Sequence, residues 1–286
     1  EPPAPIEPLE RPTAAAGPFP FAPGSLIDER YRLGALLGRG GMSQVFEAVD
    51  LVLEQPVAVK VLVQPAEDPS AAQRFLQEMQ LSRRLVHPNV VRLYELGCVQ
   101  GFRYFTMELL RGQDLRTLMA GQPAAPAQVL SWVAQACDGL AAAHAAGIVH
   151  RDVKPENLFV TEGGLLKLMD FGIARVGVGQ RLTAAGLLLG TPLYMAPEQI
   201  NSFGNAGPPA DLYALGVVAF ELLVGRPPFQ GQEMMATLSQ HLYEAPPDPC
   251  ELRPDLPPAI GRLLLELLAK DPALRAGPAS GVAVRA

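Results

Sequence analysis

The stretch His150–Asn157 contains the residue types that a phosphoryl transfer requires. It reads His-Arg-Asp-Val-Lys-Pro-Glu-Asn, so a carboxylate (Asp152), an ammonium (Lys154) and an amide (Asn157) follow one another closely. The carboxylate can accept the proton of an attacking hydroxyl, the ammonium can stabilise the migrating phosphoryl group, and the amide oxygen can ligate a magnesium ion. The segment therefore predicts a phosphotransfer site.

A second acidic string supports this interpretation. Asp170-Phe171-Gly172 follows Asp152 at a distance of 18 residues, and two short strand patterns, Leu158–Val160 and Leu165–Leu168, occupy the interval. A solvated charged loop, the plainest alternative for the first string, does not account for the second.

A glycine-rich turn, Gly38–Val45, lies between the first two predicted strands. Glycine has no Cβ, so backbone amides there can approach a triphosphate closely. Ser43 stands where a G-x-G-x-x-G pattern has its third glycine, and the turn opens no helix, which excludes a Rossmann dinucleotide site.

Lys60 lies in the apolar strand Val57–Val63, where a buried ammonium needs an anionic partner; Glu78 on the next helix is the candidate.

Composition narrows the class of protein. The chain has 286 residues, of which 49% are hydrophobic, so global disorder is excluded, and a net charge of −6 without a basic stripe argues against nucleic acid as a partner. The three cysteines are odd in number and far apart, which indicates a reducing compartment without structural disulfides. The longest apolar run, Leu212 to Val224, is too short to cross a bilayer. We expect a cytoplasmic domain without membrane contact from this segment, although the parent protein could carry an anchor elsewhere.

The chain divides by composition. Residues 1–27 are rich in proline and alanine and predict a disordered linker or tail. Residues 28–280 predict one α+β domain: a small lobe of five strands and one helix (28–107), a hinge (108–112) and a larger, mainly helical lobe (113–280), followed by a truncated tail at 281–286. The predicted helices of the larger lobe are Asp114–Met119, Pro126–Ala146, Pro209–Val224, Glu233–Leu242 and Pro257–Ala269.

Taken in order and spacing, these motifs together with Ala196-Pro197-Glu198 resemble a eukaryotic-like (Hanks-type) protein kinase over residues 30–276, most closely the bacterial serine/threonine kinases. The resemblance implies a bilobal fold with a five-stranded antiparallel sheet. It also implies transfer of the γ-phosphoryl group of ATP to Ser or Thr hydroxyls of protein substrates, with Mg²⁺, or Mn²⁺ in its place. Segment 190–198 resembles the platform that binds an extended acceptor peptide, which small-molecule kinases generally lack.

The resemblance also assigns roles to single residues. It makes Asp152 the catalytic base and places Lys154 on the γ-phosphoryl group, with Thr191 bonded to both. Lys60 would bind the α- and β-phosphates and pair with Glu78. The metal ligands would be Asn157 and Asp170, and the nucleotide-binding residues would be Leu37, Gly38, Gly40, Gly41, Val45, Ala58, Lys60, Met107 as gatekeeper, Glu108, Leu110 and Leu158.

Two supporting interactions follow from the same resemblance. Asp211 would anchor the catalytic loop, and Arg275 would pair with Glu198. In the segment that begins at Asp211, Tyr213 and Ala214 replace the usual Trp and Ser, a departure that affects packing more than chemistry.

The segment between Gly172 and Gly190 suggests a regulatory site. If the fold is that of a kinase, Arg74, Arg151 and Arg175 converge and attract an anion; the alternative is that they are ordinary solvated surface charges. Thr183 is the hydroxyl residue between Gly172 and Gly190. Phosphorylation would add about −2 charge there and could order the segment. Self-phosphorylation could proceed through a transient homodimer. The competing hypothesis for the whole chain is a pseudokinase that binds nucleotide or acts as a scaffold; the intact catalytic positions weigh against it.

Overall fold

The computed structural model describes residues 20–40, 43–62, 79–171, 192–202, 206–275, 279 and 281–282. The chain forms two compact units. The first contains residues up to Pro69 together with Arg92–Leu110, and the second contains Ser70–Val91 and Arg111–Ala286. The domain boundaries derived from sequence stay predictions.

The first unit is built on one antiparallel sheet with the strand order β1-β2-β3-β4-β6-β5. Its strands are β1 (Leu26–Ile27), β2 (Tyr31–Arg39), β3 (Ser43–Asp50), β4 (Gln55–Leu62), β5 (Leu93–Val99) and β6 (Phe102–Met107). The sequence predicted five strands, and the structure corrects this number to six. The additional strand is β1, which lies within the stretch assigned to a proline-rich linker.

Strand β1 forms because apolar side chains near the N-terminus are buried. Ile27 is fully buried, and Phe21 packs edge-on against Phe102 with ring centroids 5.6 Å apart. Asp28 has a positive φ of 48° in the turn after β1, and its carboxylate accepts a hydrogen bond from the Tyr104 hydroxyl. Proline-rich composition concealed these contacts, because a two-residue strand has no periodicity of its own.

Strands β3 and β4 alternate between a core face and an opposite face. Phe46 and Val59 are cross-strand partners within the hydrophobic core of the first unit. The neighbouring positions, Val45 paired with Lys60, point to the other face because successive side chains of a strand alternate. The period of two therefore separates the residues that hold the sheet together from those predicted to bind nucleotide.

The second unit is mainly helical and also contains a small antiparallel sheet of β7 (Gly112–Asp114), β8 (Leu158–Thr161) and β9 (Leu166–Leu168). Its helices are α1 (79–84 among the described residues), α2 (Leu115–Met119), α3 (Pro126–Ala145), α4 (Pro197–Ser202), α5 (Pro208–Val224), α6 (Met234–Tyr243), α7 (Pro249–Leu252) and α8 (Pro258–Leu267). The five helices predicted in the larger lobe agree with α2, α3, α5, α6 and α8 to within two residues at each end. Helix α1, predicted in the small lobe, belongs to the second unit.

Helix α5 is the centre of the second unit. Its residues are buried on all sides of the helix from Ala210 to Phe220, and apart from Asp211 and Tyr213 they are glycine or apolar. Gly216 lets α8 approach closely, because a Cβ at this position would lie 2.7 Å from the Cβ of Leu267. None of the helices in the described part of the chain has the length and apolar content needed to cross a membrane.

The adjacent residues of β1 provide a test of its contribution to stability. Ile27 is fully buried, whereas Leu26 is 45% exposed. Ile27→Ala should lower the free energy of unfolding by about 2–4 kcal/mol, since it removes buried methyl groups and leaves a cavity. Leu26→Ala should change it by less than about 1 kcal/mol. Urea denaturation of both variants measures the difference, and equal effects would show that β1 is not part of the folded core.

Candidate active site

The catalytic loop is attached to helix α5 through Asp211. This carboxylate is 1% exposed and accepts hydrogen bonds from the backbone amides of His150 (2.8 Å) and Arg151 (2.7 Å). His144 on α3 contacts the same carboxylate through Nε2 at 2.8 Å. The prediction that Asp211 anchors the loop is confirmed, and His144 contributes to this anchor.

Asp152 accepts hydrogen bonds from two residues of its own loop. Lys154 Nζ lies 2.8 Å from Asp152 Oδ2, and Asn157 Nδ2 donates to the same oxygen at 3.0 Å and to the Asp152 carbonyl at 2.7 Å. The Asp152 side chain remains 35% exposed. The structure therefore brings together the three residues that the sequence singled out, with the carboxylate accessible to a substrate.

Asn157 and Asp170 lie close along the backbone, because the Met169 amide donates to the Asn157 carbonyl at 2.9 Å. Asn157 Nδ2 is bonded to Asp152, which leaves its oxygen Oδ1 as the atom able to ligate a cation. Asp170 has a positive φ of 56°, and the ring of the following Phe171 packs 4.6 Å from that of His150. One amide oxygen and one carboxylate form a donor set of the type that Mg²⁺ prefers.

A second cluster joins the catalytic loop to the segment at 192–194. Arg116 on α2 donates to Glu156 (3.0 Å), to Glu221 on α5 (2.6 Å) and to the Tyr194 hydroxyl. Tyr194 donates in turn to Glu221 at 2.6 Å. Burial and the bond to Glu221 raise the pKa of Tyr194, so its hydroxyl stays protonated. The members of this cluster are far apart in the chain, so no local sequence pattern predicts it.

Helix α4 is tied to the C-terminal part of the second unit. Glu198 accepts two bonds from the Arg275 guanidinium, from Nη1 at 2.5 Å and from Nη2 at 2.7 Å. Arg275 also donates to the Pro209 carbonyl at 2.8 Å, next to the start of α5. The predicted pairing of Glu198 with Arg275 is confirmed, and it fixes the end of the predicted peptide platform.

Four predicted nucleotide-binding residues of the first unit share one face of its sheet. Val45 pairs with Lys60 across β3 and β4, and Ala58 pairs with Met107 across β4 and β6. Lys60 and Ala58 are two residues apart on β4 and therefore point to the same side. Lys60 Nζ also lies 6.0 Å from the centre of the Phe105 ring.

The remaining predicted nucleotide-binding residues fall at the ends of these strands or in the second unit. Leu37 and Gly38 are exposed near the end of β2, and Gly40 donates its amide to the Ser43 carbonyl at 2.8 Å in the following turn. Glu108 donates its amide to the Arg92 carbonyl, and Leu110 is half-buried. Leu158 is buried in the core of the second unit. Six predicted site residues lie outside the described residues: Gly41, Arg74, Glu78, Arg175, Thr183 and Thr191.

The chain is similar to known proteins over most of its length. The protein kinase domain family matches residues 31–284. The chain is 43% identical over 273 residues to the DNA damage-responsive serine/threonine-protein kinase RqkA of Deinococcus radiodurans, covering 93% of this chain and 40% of that protein. It is 40% identical over 244 residues to the serine/threonine-protein kinase PknE of Mycobacterium tuberculosis, covering 85% of this chain and 43% of PknE. The chain thus spans less than half the length of either relative.

A solved kinase structure has a similar fold. The crystal structure of the Mycobacterium tuberculosis PknI kinase domain aligns with a TM-score of 0.74 and 28% identity, over 93% of this chain and 98% of that one. Members of this family use ATP and a divalent metal ion and act on proteins. The catalytic-loop geometry, the two-unit fold and these matches lead to one conclusion: the chain belongs to the protein kinase family, among the Hanks-type serine/threonine kinases of bacteria.

Proposed function

We propose that this domain transfers the γ-phosphoryl group of ATP to Ser or Thr hydroxyls of protein substrates. The arrangement around Asp152 carries the proposal. Among the described residues, the hydrogen bonds to its carboxylate come from Lys154 and Asn157 and go to Oδ2. The carboxylate, whose side chain is 35% exposed, can then accept the proton of an acceptor hydroxyl. A scaffold that binds nucleotide without transferring phosphate has no need of this arrangement.

The reaction assigns one role to each loop residue. The acceptor oxygen forms a bond to the γ-phosphorus, the bond from that phosphorus to the β–γ bridging oxygen breaks, and ADP leaves. Asp152 takes up the hydroxyl proton, and Lys154 stabilises the charge on the transferred group. Asn157 and Asp170 would hold Mg²⁺, or Mn²⁺ in its place, which when bound neutralises charge on the phosphate oxygens.

The first unit would supply the nucleotide-binding residues. Lys60 would bind the α- and β-phosphates, with Glu78 as its partner, and the amides near Gly38 and Gly40 would approach the phosphates. Val45 and the other apolar residues on that face of the sheet would contact the adenine. Ser43, at the place of the third glycine, begins β3, and its carbonyl accepts a hydrogen bond from the Gly40 amide at 2.8 Å.

Regulation and location complete the proposal. Thr183 would be phosphorylated in trans, by a second copy of the chain. The phosphate would bind Arg74, Arg151 and Arg175 and thereby activate the enzyme. Thr191 would bond to Asp152 and Lys154 and favour Ser or Thr acceptors. The three cysteines, all of them free thiols, support a reducing, cytoplasmic location.

Asp152→Asn tests the assignment of the base. The variant should bind ATP as the unaltered protein does, while kcat falls about 10²–10⁴-fold, since the amide cannot accept the hydroxyl proton. Transfer of labelled phosphate to a generic basic protein measures the rate. Asp138→Asn, an exposed aspartate on α3, is the matched control and should remain fully active. Wild-type rates in Asp152→Asn would remove the base and favour the scaffold hypothesis.

Asp170→Asn tests the metal site separately. Replacing the carboxylate by an amide removes one negative charge from the donor set, so the Mg²⁺ concentration that gives half-maximal activity should rise about tenfold or more. A Mg²⁺ titration at fixed, saturating ATP reports this shift. An unchanged Mg²⁺ requirement would show that Asp170 is not a metal ligand.

Thr183 can be tested by mass spectrometry. Protein incubated with ATP and Mg²⁺ should carry phosphate on Thr183, and Asp152→Asn protein treated in the same way should not. Thr183→Ala should then lower activity several-fold, because the added charge that orders the segment is missing. A fully active preparation with unmodified Thr183 contradicts the regulatory hypothesis and leaves the kinase assignment in place.

A further inference from the structure

Gln199 makes two hydrogen bonds that serve different parts of the molecule. Its Oε1 accepts from the Ala196 amide at 3.0 Å, and its Nε2 donates to the Arg151 carbonyl at 3.0 Å. The side chain is buried, with 6% of the residue exposed. Arg151 directly precedes Asp152, so one end of this amide reaches the catalytic loop.

The first of these bonds is ordinary helix capping. Helix α4 begins at Pro197, so Ala196 is its N-cap and Gln199 is the third residue of the helix. A Gln or Glu at that position commonly bonds back to the N-cap amide. Either residue type would make this bond, so capping does not explain why an amide, with a donor, stands here.

The second bond fixes a peptide plane. The Arg151 carbonyl and the Asp152 amide belong to one planar peptide unit. Gln199 holds its oxygen, and His150 Nδ1 accepts from its N–H at 3.3 Å. Nε2 of His150 donates in turn to the Met169 carbonyl at 2.8 Å, next to Asp170. The orientation of the peptide unit that leads into Asp152 is therefore set from both edges.

This plane needs such support because Arg151 has a left-handed conformation, with φ of 64°. A residue other than glycine adopts this conformation only when its surroundings hold it there. Asp211 holds the amide side of Arg151, and Gln199 holds the carbonyl side. Without the second contact, the peptide unit could rotate and carry the Asp152 carboxylate away from the acceptor hydroxyl.

The chain contains its own comparison. Helix α3 starts with Ala125-Pro126-Ala127-Gln128, the same Ala-Pro-x-Gln pattern as Ala196–Gln199. Gln128 occupies the same position of its helix but is exposed. The pattern at a helix start thus does not require burial of the glutamine, and the burial of Gln199 reflects its contact with the catalytic loop.

We propose that Gln199 is a positioning residue for the proposed reaction: its amide nitrogen holds the Arg151–Asp152 peptide unit and thereby aims the catalytic carboxylate. The inference rests on the proposed kinase function. It connects helix α4, at the end of the peptide platform, to the base itself. The contribution lies in the orientation of Asp152 and leaves the binding of ATP unchanged.

Gln199→Glu separates the two bonds, because the carboxylate can still cap Ala196 but cannot donate to the Arg151 carbonyl. Loss of the donor leaves the Arg151 carbonyl opposite an acceptor, so kcat should fall at least about tenfold while the KM for ATP stays within about twofold. Gln199→Met, which removes both bonds at similar volume, should show the same fall in kcat together with a lower melting temperature. Gln128→Glu is the matched control and should behave as the unaltered protein.

The outcomes are distinct. A folded Gln199→Glu or Gln199→Met protein with wild-type kcat would overturn the proposal, and so would a loss of ATP affinity as large as the loss in kcat. If both variants unfold, circular dichroism and thermal melting will show it, and Gln199 is then a stability residue, against the proposal. An inactive unaltered protein would instead refute the kinase function, since both comparisons rely on its activity.

Discussion

The conformation of the catalytic loop depends on the buried carboxylate of Asp211. An ionised carboxylate can stay in an interior without water only when hydrogen-bond donors replace its hydration. His150, Arg151 and His144 supply these donors. Hydrogen bonds to a charged acceptor contribute about 1.5–3 kcal/mol each, enough together to offset the roughly 1–3 kcal/mol cost of a left-handed residue such as Arg151. Asp211, on the otherwise mainly apolar helix α5, thus determines the path of the polar loop.

A second buried charge, Arg275, shows how a departure from the family pattern is accommodated. Its guanidinium pairs with Glu198 and lies 4.9 Å from the centre of the Tyr213 ring, at the position where the motif usually has Trp. Tyr213 provides an aromatic face for the cation, and its hydroxyl bonds to Nδ1 of His241 at 2.9 Å. Burial lowers the pKa of His241 to about 4, so the ring is neutral at physiological pH and can accept this bond. Tyr213, with a smaller ring than Trp, therefore packs against Arg275 and has His241 as the partner of its hydroxyl.

Local patterns predicted the elements and motifs that are contiguous in the chain. Helix Pro208–Val224 was found because its proline start and apolar run are local signals. Strand β1 was not, because it depends on the burial of Ile27 against distant strands. The motif His150–Asn157 is contiguous in the chain, so the sequence alone predicts it. The contact of Gln199 with Arg151 spans 48 residues and leaves no local signal, and the same four-residue pattern ends in an exposed glutamine at Gln128.

The two units hold their functional residues in different ways, and the reason is geometric. In the six-stranded sheet, strand pairing supplies hydrogen-bond partners for the backbone N–H and C=O groups, and apolar residues such as Phe46 and Val59 fill the core. The catalytic loop is irregular, with left-handed residues at Arg151 and Asp170, and buried polar side chains hold it instead. An apolar contact has no preferred direction, whereas a hydrogen bond weakens steeply when it is misaligned. Proton transfer to a carboxylate requires direction as well as distance. Polar side chains are therefore the means by which a helical core can orient Asp152, the proposed base, within the tolerance of the proposed reaction.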